Sequence, residues 1–198
     1  MNSNRFGMPI TAATAVLAIA CAVGLVTSQP AQAQDKTRSA PAERGKYLVD
    51  TSGCHDCHTP LKMGPKGPEP DLGRQLSGHP ESLQMPPAPA LPPGPWMVVS
   101  SATNTAWAGP WGVSFSANLT PDAESGLGRW TEHDFARTLR TGRHMGLGRA
   151  VLPPMPIPAY SHFSDQDLAA IYAYLRTVPA VKNRVPQPLA PVTKAAAR

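Results

Sequence analysis

Apolar residues fall into a helical rhythm at both ends of this chain and lose it over a long stretch between. Near the C-terminus, Leu168, Ile171, Tyr172 and Leu175 recur at i, i+3, i+4 and i+7, which predicts one buried helical face. Ser164 precedes them with Asp167 three residues on, a capping pair, and Pro179 ends the run. Arg176 falls in the last turn, where a cation suits the helix dipole. A second helix is predicted over 132–141: Thr131 and Asp134 make a capping pair, Phe135 and Leu139 lie one turn apart, and Gly142 stops it. A third is predicted over 42–51, with Tyr47 and Leu48 as its apolar positions and Gly53 just beyond.

Between residues 60 and 121 no such period survives. Proline makes up 24 of the 198 residues, against a usual share of about 5%, and most of it lies here. Met85-Pro86-Pro87-Ala88-Pro89 and Leu91-Pro92-Pro93-Gly94-Pro95-Trp96 cannot be helix interior or central strand. A long Pro-rich insertion loop is therefore expected, with a short hairpin around Ser100–Ser116. Trp96, Trp107, Trp111 and Phe115 argue against disorder, because disordered chains are aromatic-poor. Residues 186–198 are Pro/Ala-rich and read as a surface tail. These elements predict a single, mostly α-helical domain over 42–185, preceded by a flexible lead-in over 34–41.

The N-terminus reads as a secretory signal over 1–33. Arg5 is the only charge before Asp35, an apolar run spans Ile10–Val26, and Ala31-Gln32-Ala33 supplies a cleavage site. The same run is also long enough for a short retained membrane anchor. The charge balance of 18 Lys+Arg against 13 Asp+Glu is moderately basic, which suits an acidic partner or an anionic membrane surface. No basic block with interleaved aromatics exists, so nucleic acid is not an expected partner.

Chemistry enters at Cys54-His55-Asp56-Cys57-His58. The C-x-x-C-H spacing is the attachment signature of c-type haem. Two thiols three positions apart can each form a thioether to a porphyrin edge, and the next histidine can coordinate the iron. A structural zinc site would need two further ligands at matching spacing, and no cysteine follows residue 57. A redox dithiol would want a βαβ context that this Pro-rich chain does not offer. The string occurs once, so one covalent haem is expected. Such attachment takes place outside the cytoplasm, in agreement with an exported, periplasmic protein. Cys21 would leave with the signal, so no structural disulfide is expected.

The second axial ligand decides between a filled electron-transfer site and an open one. Met155 is the favoured candidate. It lies in Leu152-Pro153-Pro154-Met155-Pro156, and a proline-stiffened loop can hold a weak thioether ligand at small entropic cost. Met145, the other methionines Met63, Met85 and Met97, His79, His144 and His162 are the alternatives, beside no second ligand and the reading of Met155 as a plain core residue.

Taken in order, Gly45-Lys46-Tyr47-Leu48, the haem string, a long loop, Leu-Pro-Pro-Met-Pro, and Ser-Asp-Gln-Asp-Leu-Ala-Ala-Ile-Tyr-Ala-Tyr-Leu-Arg resemble a class I cytochrome c domain. The likeness is to the bacterial mono-haem kind found in cytochrome subunits of membrane dehydrogenases. Asn118-Leu119-Thr120-Pro121-Asp122 and Gly126-Leu127-Gly128-Arg129-Trp130 resemble a stretch that recurs in those domains. The resemblance implies an all-α fold, Cys54 and Cys57 as haem attachment points, and His58 and Met155 as iron ligands. It further implies that the first and last helices cross with Gly45 close to Tyr172, and that a carbonyl at Pro68 or Pro70 receives the N–H of His58. The Pro/Trp insertion before Asn118 departs from the family pattern.

Lesser candidates each have a plain alternative. Arg137, Arg140, Arg143, His144 and Arg149 could meet haem propionates or an acidic redox partner, or form a solvated face. Trp107 and Trp130 could wall the haem pocket or simply fill the core. Asn118 and Asp122 suit Asx-type loop bonds; a calcium site at Asp122 and Glu124 lacks the loop spacing. The expected function is single-electron transfer between redox partner proteins such as a membrane dehydrogenase or terminal oxidase. The alternatives are a haem enzyme with an open or displaceable distal site, and an electron-transfer subunit of a larger dehydrogenase complex.

Overall fold

The frame is a crossing of the first and last helices. In a computed structural model, which describes residues 31–89, 91 and 94–191, α1 (Ala31–Thr51) packs across α5 (Asp165–Leu175). The signal expected over 1–33 thus lies outside the described residues up to residue 30. Gly45 permits the crossing: a Cβ there would run into the Ala170 carbonyl and come within 2.8 Å of Tyr174 Cβ. Its neighbours are Ala170 and Tyr174 rather than the expected Tyr172. Positions 170 and 174 share a helix face at i, i+4, whereas Tyr172 turns towards Phe135, with ring centroids 5.9 Å apart. Arg44 Nε donates to Asp167 Oδ1 at 3.1 Å across the same crossing.

α1 is longer than expected. It runs through the 34–41 stretch read as a flexible lead-in and passes Pro41. Half of that stretch, Gln34, Lys36, Arg38 and Ala40, consists of good helix formers.

α3 (Glu132–Thr141) closes the core from a third side. Both halves of its capping box form, with Thr131 Oγ1 accepting from Asp134 N at 3.1 Å and Asp134 Oδ2 accepting from Thr131 N at 3.0 Å. Gly142 ends it in the left-handed conformation. Ser164 Oγ caps α5 by accepting from Asp167 N at 3.0 Å. The predicted Phe135, Leu139, Leu168, Ile171 and Leu175 are buried together with Leu48, Val49 and Leu76. Each such side chain contributes about 1.5–3 kcal/mol when fully removed from water. Arg176 caps the end of α5, and its guanidinium donates to Leu127 O (3.1 Å) and Gly128 O (2.9 Å).

The all-α expectation is wrong. Alongside five α-helices, the described residues hold two small antiparallel sheets. β1 (Leu61–Gly64) pairs with β2 (Gly67–Pro70) in a ribbon whose register sets Leu61 opposite Pro70 and Gly64 opposite Gly67. Both strands are edges, so Pro68 and Pro70 cost few ladder bonds. β3 (Val99–Ser100), β4 (Ala106–Gly109) and β5 (Gly112–Phe115) form the second sheet; it starts one residue before the hairpin expected around Ser100–Ser116 and has three strands where a hairpin has two. The outer edge of β5 is covered by the C-terminal segment, where Val113 and Leu189 exchange N–H···O bonds of 2.9 Å in both directions.

That segment is not a loose tail. Asn183, 1% exposed, donates from Nδ2 to Ser77 O (2.7 Å) and His79 O (2.8 Å). Its Oδ1 accepts from Arg74 Nη2 and Glu81 N, both at 2.8 Å. Asn118 Nδ2 donates to Val181 O at 2.8 Å. No helix of the described residues is long and apolar enough to cross a membrane.

Candidate haem site

α2 (Cys54–His58) is a five-residue turn entered through Gly53, whose φ of 73° reverses the chain out of α1. Helical spacing puts Cys54 and Cys57 on one face. His58 is buried, and its Nδ1–H donates to Ala117 O at 2.8 Å, a partner that can only accept. This bond leaves the lone pair on Nε2 and orients the ring. The expectation that Pro68 or Pro70 supplies the carbonyl is corrected. Both prolines sit exposed on the β1–β2 ribbon, and the insertion brings Ala117 back beside α2 instead. Gly78 N donates to His58 O at 2.8 Å, and Leu76 N to Thr59 Oγ1 at 3.0 Å, so backbone on both sides fixes the turn.

Burial also shifts the titratable groups here. It pushes the Cys54 thiol up to about 11 and raises Cys57 as well, so both are neutral thiols at pH 7. It lowers His58, against the smaller pull of the Ala117 carbonyl. Tyr160, in the short helix α4 (Ile157–Tyr160), donates its hydroxyl to Ser52 O, tying that turn to the end of α1. Burial pushes its phenol up to about 12.

A cavity of about 650 Å³ opens beside α2, a size suited to a large cofactor. Cys54, Cys57, His58 and Met155 all line it. Trp107 and Phe115 of the second sheet, Leu139 of α3, and Trp130 before it supply apolar wall. Val185, Pro186 and Pro188 add another, so the stretch from 186, expected over the surface, is cavity wall. Met155 is half-buried against the core. Its loop is held by Ser114 Oγ donating to Pro153 O (2.5 Å) and Ile157 N to Met155 O (2.8 Å).

The alternative ligands separate by position. Met145 is 40% exposed, outside the cavity lining. His79 is buried elsewhere, with Nδ1 against Thr105 Oγ1 (2.9 Å) and Nε2 against Leu83 O (3.2 Å). His162 does not line the cavity. His144 does, its ring edge-on to Trp130 at 4.8 Å.

Of the basic cluster, only His144 and Arg149 reach the cavity. Arg140 is committed to Asp165 (2.6 Å) and Ser161 O, Arg143 to Gly148 O (3.1 Å), and Arg137 lies over Gly146. Asn118 and Asp122 order their loop. Asn118 Oδ1 accepts from Thr120 N at 2.9 Å, and Asp122 Oδ1 accepts from Ser125 N at 2.7 Å and Glu124 N at 3.1 Å. Bonds from Ser125 hold the Asp122 carboxyl below its usual range. Glu124 pairs with Lys182 (3.0 Å) and Arg184 (3.4 Å).

Two participants had escaped sequence reasoning. Ala117 acts through a backbone carbonyl, which leaves no side-chain signature. Asn183 is one polar residue in a Pro-rich stretch without period.

The donor set fits haem c. Two thiols share a face, a histidine keeps one nitrogen free, and a thioether lines the same largely apolar cavity. The family model for cytochrome c matches residues 42–179. The cytochrome c subunit of a quinone alcohol dehydrogenase from Gluconobacter oxydans is 32% identical over 158 residues, covering 79% of this chain and 25% of that protein. The gluconate 2-dehydrogenase cytochrome c subunit of Pantoea cypripedii is 31% identical over 144 residues, covering 73% and 24%. A diheme c-type cytochrome of Cereibacter sphaeroides is 25% identical over 173 residues, covering 86% and 48%. The chain thus spans about a quarter of the length of the first two relatives. Motif, cavity and kinship agree, and the chain belongs to the cytochrome c family, whose haem is bound covalently.

Proposed function

We propose that this protein is an exported, single-haem electron carrier, with thioethers at Cys54 and Cys57 and with His58 and Met155 as axial ligands. The observation that carries the reading is the shared cavity: His58, its Nδ1 already engaged by Ala117 O, lines the same space as Met155. Bound there, haem supplies an iron that exchanges one electron at a time between ferrous and ferric states.

The chain's own residues tune that exchange. The Ala117 carbonyl raises the basicity of His58 and fixes its tautomer. The Met155 thioether and the apolar walls favour the lower-charged state and so a higher potential. Pro154 and Pro156 limit movement of Met155, so little rearrangement accompanies transfer. The single C-x-x-C-H string supports one haem. Two relatives are named as dehydrogenase cytochrome subunits, which supports a dehydrogenase as the partner, and the C-x-x-C-H string, whose haem is attached outside the cytoplasm, supports a periplasmic site of action.

The test is a pair of visible spectra of the ferrous protein, with and without carbon monoxide, for wild type and Met155→Ala. The wild-type spectrum is expected to be unchanged, and the variant is expected to bind carbon monoxide. Ready binding by wild type would instead indicate an open distal site and a small-molecule substrate.

A further inference from the structure

The turn from Arg143 to Arg149 joins α3 to the Met155 loop and faces two ways. Inwards, His144 and Arg149 line the cavity while remaining exposed to solvent, so the turn forms part of the cavity's rim. Outwards, it presents Leu147, 78% exposed between two glycines, beside Met145. Leu147 and Met145 thus leave apolar side chains open to water on the outside of the turn.

The turn itself, Arg143 to Arg149, carries basic residues and no acidic one. Ion pairs among the described residues take up Arg44, Arg140 and Arg184, but leave Arg137, Arg143 and Arg149 without a carboxylate. The turn is also stiff. Gly146 N donates to Arg143 O (2.7 Å), Gly148 N to His144 O (2.8 Å), His144 N to Arg149 O (2.9 Å) and Met145 N to Thr138 Oγ1 (2.9 Å). Met145 itself is held at a φ of 52°, a left-handed conformation that a non-glycine residue adopts only where its surroundings impose it.

We propose that the outer face of this turn is the surface through which the protein exchanges electrons, docking a redox partner protein whose acidic face carries an apolar recess for Leu147. The inference rests on the electron-carrier reading. Electron transfer weakens steeply with distance, so a docking face must lie over the cavity, as the rim does. Unpaired arginines steer an acidic partner. A preformed knob loses little entropy on docking. One apolar side chain on a tight turn lacks the broad apolar face with which a helix enters a lipid surface.

The experiment uses the full-length, haem-loaded protein, reduced and then oxidised in stopped flow. Two small oxidants serve as probes: anionic hexacyanoferrate(III) and cationic tris(phenanthroline)cobalt(III). In each case one electron leaves the reduced protein and lowers the probe's metal from the trivalent to the divalent state, with no bond made or broken. At low ionic strength Arg143→Gln is expected to slow the anion about threefold and speed the cation by a similar factor, with both effects vanishing at high salt. Arg143→Lys, which keeps the charge, should retain wild-type rates. Lys66→Gln, which removes a charge from the turn between β1 and β2, should change neither rate. Leu147→Ser should leave both probes unaffected and slow oxidation by an acidic blue-copper protein about tenfold.

Equal responses in Arg143→Gln and Lys66→Gln, or none in either, would overturn the assignment. So would loss of binding to phosphatidylglycerol vesicles in Leu147→Ser, which would give the turn to a lipid surface. Failure of the underlying reading looks different: the reduced wild type would bind carbon monoxide and exchange electrons slowly with both probes.

Discussion

The helical frame and the Pro-rich insertion build the same cavity by different means. In the frame, side chains carry the instructions: apolar residues recur each turn, Thr131 and Ser164 cap, and Gly45 clears the crossing. In the part of the insertion from Ser82 to Pro121, not one residue is charged. Order there comes from backbone groups meeting backbone groups, from the hydroxyls of Ser101, Thr103 and Thr105, and from the buried amide of Asn118. A cofactor site can thus draw its reactive atoms from a regular, legible part of the chain and their orientation from an irregular one. Cys54, Cys57 and His58 belong to the first kind; the Ala117 carbonyl that turns His58 belongs to the second.

Four measurements would break or sharpen this contrast. The largest effect is expected at Asn183→Ala, which strips partners from Ser77 O, His79 O, Glu81 N and Arg74 at once. A loss of about 3 kcal/mol in denaturant unfolding is expected, with new protease cleavage after Pro179. A loss below about 1 kcal/mol would mean that the irregular half is not locked. Gly45→Ala comes next. Its methyl meets the Ala170 carbonyl, and about 2 kcal/mol of destabilisation from overpacking is expected by the same assay. Thr131→Ala removes one helix cap and should cost about 1 kcal/mol.

The smallest effect is acid dependence. Asp122, Asp134 and Asp167 have folded values below their ordinary 3.8, through bonds from Ser125, Thr131 and Arg44 respectively. Depressed carboxyls stabilise fully above the unfolded value and lose that contribution as pH falls through the folded one. Stability should therefore decline below about pH 4, less steeply in Asp134→Asn, as a pH series of melting curves would show.

How much could be read beforehand follows from the same contrast. The caps, the boundaries of α3 and α5, and the buried positions on them were legible because their signals lie within a few residues of one another. The C-x-x-C-H string and the proline-flanked Met155 were visible for the same reason, and they meet in one cavity. The β1–β2 ribbon was not foreseen, because Pro68 and Pro70 argue against strands that must pair on both sides, whereas a two-stranded ribbon has only edges. The start of α1 was obscured by Pro41, which reads as a boundary. The role of the C-terminal segment was hidden because Asn183 meets partners 104 and 106 positions away.

Those long separations bear on biogenesis. Residues 54–58 are synthesised well before the Asn183 amide that bolts the far wall and before Leu189, which seals the edge of β5. Contacts so distant in sequence form late in folding, after their closure entropy has been met. Both thiols are therefore expected to stay accessible in a growing chain until the far wall has been made and has docked.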